Sequence, residues 1–97
     1  MARVEVSAVA AEDIARLTIT HSLPADTNER IKRSIRPLAR FPQLGAALEG
    51  GGWDGFRFVL GPWRWLVIVY EYVEAEDRVV IATVQDARSS KAAPSFD

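Results

Sequence analysis

Residues 56–72 read FRFVLGPWRWLVIVYEY. Phe56, Phe58 and Leu60 alternate with Arg57 and Val59, which is the period of a β-strand. After Gly61 and Pro62, the segment from Trp63 to Tyr72 is apolar on both faces, as a strand inside a sheet must be. A two-residue Gly61-Pro62 turn of type II′ predicts that Val59 lies opposite Arg64 and Arg57 opposite Leu66. Arg57 and Arg64 then share one face of the hairpin.

On the C-terminal side, the acidic turn Glu74 to Asp77 leads into a third strand, Arg78 to Asp86, with Arg88 just beyond it. The polar, proline-containing end of the chain predicts a flexible tail over residues 91–97. On the N-terminal side, "ALEGGGWDG" (47–55) reads as a flexible connector, because consecutive glycines are entropically costly inside an element. Before it lies an amphipathic helix, opened by Pro24 or by Asp26 with Glu29. Ile31, Ile35, Leu38 and Phe41 fall on one side of it, and Arg30, Lys32, Arg33, Arg36 and Arg40 occupy the rest. Pro37 removes a backbone donor there and predicts a kink or an early end. "ARVEVS" (2–7) alternates as a half-buried strand, and Ser7 caps a short helix over "AVAAEDIARLTI", where Ala10, Ile14 and Leu17 share a face. Glu12 and Asp13 lie towards the end of that helix where its dipole favours them. The order is β-α-α-β-β-β. It predicts an α+β domain over residues 1–90, two helices packed on a small, mainly antiparallel sheet.

The composition excludes several classes of function. With 97 residues, 48% hydrophobic and 26% charged, the chain holds one core and is too apolar to stay disordered. It contains no cysteine and a single histidine, so a thiol nucleophile is ruled out and neither a metal site nor any cofactor is expected. Glu5, Glu12 and Asp13 interrupt the start where a signal peptide needs an apolar run, and Trp65 to Tyr70 is too short to cross a bilayer. A cytoplasmic protein without a membrane partner is expected. The net charge of −1 offers no general excess of positive charge for a polyanion, although the second helix carries a local basic face.

Arg57, Arg64 and Arg88 are the leading site candidates, because guanidiniums gathered on one sheet face bind phosphates or a partner's carboxylates. Each alone is explained as well by an ion pair with Asp54, Glu71 or Asp86. Arg33, Arg36 and Arg40 on the helix, and Trp53, Trp63 and Trp65 around the hairpin, are candidates for partner binding, with solvated helix face and apolar core as their ordinary explanations. His21 reads as an incidental surface residue. "GGG" has neither the Lys-Ser/Thr of a P-loop nor dinucleotide-fingerprint spacing.

Three segments carry a resemblance to the RelE/ParE superfamily of type II toxin-antitoxin toxins. "LARFPQLG" is similar to its L-x-x-x-P-x-x-G helix end. Arg57, Gly61, Trp63, Arg64 and Tyr70 are similar to its R-x-x-x-G-x-(aromatic)-R-x-x-x-x-Y hairpin, and "VVIATVQDAR" resembles its last strand with a terminal basic residue, Arg88. Together with the order of elements, the resemblance covers roughly residues 2–90. The resemblance implies a growth-inhibiting toxin neutralised by a cognate antitoxin. Members of the RelE type cut mRNA on the ribosome with basic residues and a Tyr or His near the C-terminus, whereas members of the ParE type poison DNA gyrase without that set. Pro94, Ser95 and Phe96 supply no titratable group, His21 is far away in sequence, and the chain is slightly acidic. These features favour the ParE type and no confident catalytic residue. The alternatives are a ribosome-dependent mRNA endonuclease, with Asp86 or Tyr70 as an unorthodox acid or base, and a non-toxic binding module of the same fold.

Overall fold

The computed structural model describes residues 1–88. The 91–97 tail expected from sequence lies outside the described residues. Strand β1 (Arg3–Val6) is followed by helices α1 (Ala8–Thr20) and α2 (Thr27–Ile35), then by strands β2 (Ala46–Ala47), β3 (Phe56–Leu60), β4 (Leu66–Val73) and β5 (Arg78–Asp86). The sheet order is β1-β5-β4-β3-β2, with β1 parallel to β5 and the other pairs antiparallel. The order expected from sequence therefore holds, with one addition: Ala46–Ala47, where the chain enters the expected connector, forms an edge strand on β3.

β4 is the inner strand that its two apolar faces require. Leu66, Ile68 and Tyr70 face the helices, meeting Leu17, Ile31, Ile35, Leu38, Val79, Ile81 and Val84. Val67 and Val69 face the other way, onto Leu48, with Trp53, Phe56 and Phe58 around it. That second layer is possible because the glycine run folds back: Gly50, Gly51 and Gly52 all have positive φ, and Trp53 returns to pack edge-on against Phe56 at 5.7 Å. The connector is thus a built lid on the second face.

Ser7 caps α1 as expected, its hydroxyl oxygen accepting from the Ala10 amide at 3.1 Å. Neither Glu12 nor Asp13 lies in the first turn of α1. Asp13 instead is buried and accepts from the Val84 amide at 3.1 Å and from the Thr83 hydroxyl. Pro37 ends α2 early: the helix stops at Ile35 and tightens into a 3-10 turn over Arg36–Ala39, where the missing proline N–H has no partner to lose. This turn directs Leu38 fully into the core, but Phe41, expected on the same side, is exposed.

The β3–β4 hairpin corrects the expected register. Leu60 pairs with Val67 and Arg57 with Tyr70, so the connection runs through residues 61–65, not through Gly61 and Pro62 alone. Gly61 lacks the positive φ that a type II′ turn demands of it. The chain closes instead through the Gly61 amide donating to the Leu66 carbonyl at 2.8 Å and the Leu66 amide donating to the Trp63 carbonyl at 3.0 Å.

A second irregularity lies between β4 and β5, where pairing passes from Val69↔Thr83 to Tyr70↔Ile81 and leaves Ala82 without a partner in β4. The bulge changes which side chains face the helices. Val79 and Ile81 lie in the helix-side core before it, and Val84 after it. Asp86, paired with Leu66, therefore points to the helix side.

Candidate functional site

The bulge gathers a set of polar and aromatic groups at one end of the sheet. Asp86, the last residue of β5, accepts two hydrogen bonds from the Arg88 guanidinium, Nε to Oδ1 and Nη2 to Oδ2, each at 2.9 Å. The Arg88 amide adds a third at 2.9 Å. From the C-terminus of α1, His21 brings its Nε2 to 3.0 Å from Asp86 Oδ2. The Arg88 fork, and after it the Arg88 amide and His21, hold the Asp86 carboxyl well below the usual carboxylate range.

Trp65 is the wall of this site. The His21 ring stacks on it with centroids 4.9 Å apart and planes 13° from parallel, and the Arg88 guanidinium lies 4.9 Å from its ring centre. Trp65 is anchored by its carbonyl, which accepts from the Ala87 amide at 2.7 Å, and Trp63 stacks against it at 5.8 Å. Arg30 of α2 closes the row, 5.8 Å from the Trp63 ring centre, while its Nε donates to Asp26 at 3.0 Å. A depression lined by Asp26, Arg30, Arg33, Ser34 and Pro62 continues from there. Arg64, between the two tryptophans in the loop, is exposed. Among the described residues, Arg30, Arg33, Arg64 and Arg88 lie towards this end of the molecule, with Asp26 paired to Arg30 and Asp86 to Arg88, so positive charge is in local excess there although the chain as a whole is slightly acidic.

The three arginines singled out from sequence do not converge. Arg57 lies opposite Tyr70, four residues along β4 from Leu66 and so about 13 Å from the Asp86 end. Its Nη1 donates to the Gly45 carbonyl at 2.7 Å and to that of Gln43 at 3.4 Å. Tyr70, weighed as an acid or base, is fully buried there, its hydroxyl donating to the Pro42 carbonyl at 2.7 Å and accepting from the Gly45 amide at 2.9 Å. Arg57 and Tyr70 together clamp the Pro42–Gly45 turn. The spacing from Pro42 to Gly45 has a steric reason: a Cβ on Gly45 would sit 2.5 Å from the Phe58 carbonyl oxygen and 2.8 Å from the Tyr70 ring.

Arg36 and Arg40 are exposed, and Arg40 borders a hollow with Phe41, Leu44 and Tyr72. Trp63 and Trp65 are half-buried on the helix-side core, and Trp53 on the opposite face. His21 is the residue that sequence reasoning missed. It stands 65 positions from Asp86, with no motif linking the two; the one available signal was its place at the end of an amphipathic helix. Among the described residues no cluster of His, Asp and Glu has a metal-holding arrangement, and no helix is long and apolar enough to cross a membrane.

No protein-family model and no curated protein sequence matches the chain. Solved structures do. A chain of the intact Escherichia coli RelBE toxin-antitoxin complex is similar with a TM-score of 0.66 at 13% identity, over 92% of this chain and 100% of that one. The isolated E. coli RelE toxin is similar with a TM-score of 0.64 at 14% identity, over 94% and 89% respectively. A chain of the RelBE2 toxin-antitoxin complex of Mycobacterium tuberculosis is similar with a TM-score of 0.55 at 19% identity, over 88% and 90%. At these identities the likeness establishes the fold. Two helices packed on a five-stranded mixed sheet is the architecture of RelE toxins, and this chain has it.

Proposed function

We propose that this chain is the toxin of a toxin-antitoxin pair, and that it cleaves mRNA on the ribosome through the sheet end formed by His21, Asp86 and Arg88. The observation that carries this reading is the 3.0 Å approach of His21 to Asp86 beside a guanidinium. RNA cleavage needs a proton-transfer group and cations for the developing charge, and this end of the molecule supplies both. The sequence argument for a gyrase-directed protein rested on the C-terminal Pro94, Ser95 and Phe96, on the distance of His21 in sequence and on the slight net negative charge. Folding answers the second of these by bringing His21 to Asp86 beside Arg88. In this reading Arg64 and Arg88 meet phosphate, Arg30 and Arg33 extend the basic border, and Arg57 braces the fold.

An antitoxin fits the opposite demand, covering apolar surface between uses of the toxin. Val6, Ile14, Ile31 and Ile35 line a groove between α1 and α2, and exposed Arg33 and Arg36 lie on α2 and the turn after it. A partner segment with apolar anchors and acidic flanks, ordering as it binds, suits that surface. The solved relatives from E. coli and M. tuberculosis are toxin-antitoxin complexes, which supports a partner of this kind.

A second reading, inhibition of DNA gyrase by binding, is favoured by the net charge of −1, which gives the whole molecule little attraction for ribosomal RNA. Pulse incorporation of labelled amino acids and labelled thymidine, minutes after the chain is induced alone in a bacterium, separates the two. Early loss of protein synthesis is expected. Early loss of DNA synthesis with translation intact establishes the gyrase reading instead, and loss of neither leaves a binding module.

A further inference from the structure

His21 is held on three sides. Its ring lies flat on Trp65, its Nε2 meets Asp86 Oδ2 at 3.0 Å, and its Nδ1 meets the Thr20 hydroxyl oxygen at 2.8 Å. An ionised carboxylate has no hydrogen to give, so Nε2 carries the proton of a neutral His21 and donates it to Asp86. Nδ1 is then the lone-pair nitrogen and accepts from the Thr20 hydroxyl. Thr20 is exposed, and 28% of the His21 side chain remains open to solvent, so the position of that hydroxyl is reachable from outside. What occupies it is an aliphatic alcohol at hydrogen-bond distance from a basic nitrogen, which is also the chemistry of a ribose hydroxyl at a general base.

We infer that His21, the C-terminal cap of the first helix, is the general base of this toxin: a substrate 2′-hydroxyl replaces the Thr20 hydroxyl at Nδ1, Asp86 fixes the tautomer and Arg88 faces the phosphate. This rests on the ribonuclease reading above. The proton of the 2′-hydroxyl passes to Nδ1 as O2′ bonds to phosphorus. The bond from phosphorus to O5′ breaks, the leaving oxygen takes a proton from water, and the imidazolium returns its proton to the hydroxide so formed. The products are a 2′,3′-cyclic phosphate and a 5′-hydroxyl. The Arg88 fork uses Nε and Nη2 on Asp86 and leaves Nη1 outside it, without a hydrogen bond among the described residues, as the donor that would meet a phosphate oxygen. Among the described residues, the charged groups facing His21 are Asp86, at the end of β5, and Arg88, two residues beyond it, and the loop packed against it contributes Trp65.

The test is single-turnover cleavage of mRNA bound to ribosomes by the full-length chain and by His21→Gln, whose amide can still donate to Asp86 but cannot accept a proton near neutrality. The expected result is a fall of about 10²–10⁴-fold in the cleavage rate. Cosedimentation with ribosomes should be unchanged, and the acid limb of the wild-type pH profile should be absent from the variant. Added imidazole should restore part of the rate to His21→Gly, which makes a folding defect distinguishable from a missing base. If wild type cuts but His21→Gln cuts equally fast with the same acid limb, the assignment of His21 is overturned and the ribonuclease reading stands. If wild type leaves ribosome-bound mRNA intact while its induction stops DNA synthesis, both fall together.

Discussion

The Tyr70 hydroxyl donates to Pro42 and accepts from Gly45, and both bonds form where the side chain has no exposed surface. Burial chiefly pushes its titration above the ordinary 10.0. The folded state therefore favours the neutral phenol, a contribution complete below pH 10 and lost as the pH rises through the higher folded value. Tyr70→Phe leaves a buried amide and a carbonyl short of a partner, and should cost about 1–3 kcal/mol in urea unfolding at pH 7. The gap from wild type should narrow as the pH passes 10. Gly45→Ala at the same clamp meets backbone, not a yielding side-chain end, and should destabilise by a similar or larger amount. Substituting Phe41, which protrudes from the same turn, should change little in the isolated chain.

α1 is joined to the sheet by more than apolar packing. β1 pairs with β5 only as far as Val6↔Ile81, and beyond that point the open edge of β5 would present an unpaired amide at Val84. Asp13 supplies the missing acceptor from the helix and is itself steadied by Arg16 at 2.7 Å. Ser7 makes a matching contact one step earlier, its hydroxyl donating to the carbonyl of the bulged Ala82 at 3.1 Å. A helix side chain thus continues a strand that has ended. Asp13→Ala should cost about 1–3 kcal/mol, because the Val84 amide is left buried and unsatisfied. Faster hydrogen exchange at Val84 should accompany the loss, and unchanged exchange there would refute this account of the attachment.

At the scale of the whole molecule, the sheet end joins α1, the β3–β4 loop and β5 through Asp86, His21 and Trp65. Because Arg88 and then His21 favour the ionised carboxylate, Asp86 contributes stability that is complete above its ordinary value of 3.8 and is lost as the pH falls towards the lower folded value. Asp86→Asn should therefore lower the melting temperature at pH 7, with the difference from wild type shrinking in acid below about pH 4. An unchanged difference at low pH would exclude ionisation as its source. The amino-acid sequence by itself determined the order of elements, the inner position of β4, the cap at Ser7 and a break in regular helix at Pro37, since all of these follow from local periodicity and backbone chemistry; that the break is an end and not a kink was decided by the fold. It did not determine the hairpin register, because Gly61-Pro62 is compatible with more than one loop length and the packing of Trp63 and Trp65 on the core selects the longer. Nor did it determine the candidate site. Asp86 reaches the helix face only because Ala82 bulges out of β5, and His21 reaches Asp86 only because α1 packs on β5 from the far end of the chain. Contacts between residues so distant in sequence arise from the packing of complete elements, which no short stretch of sequence encodes.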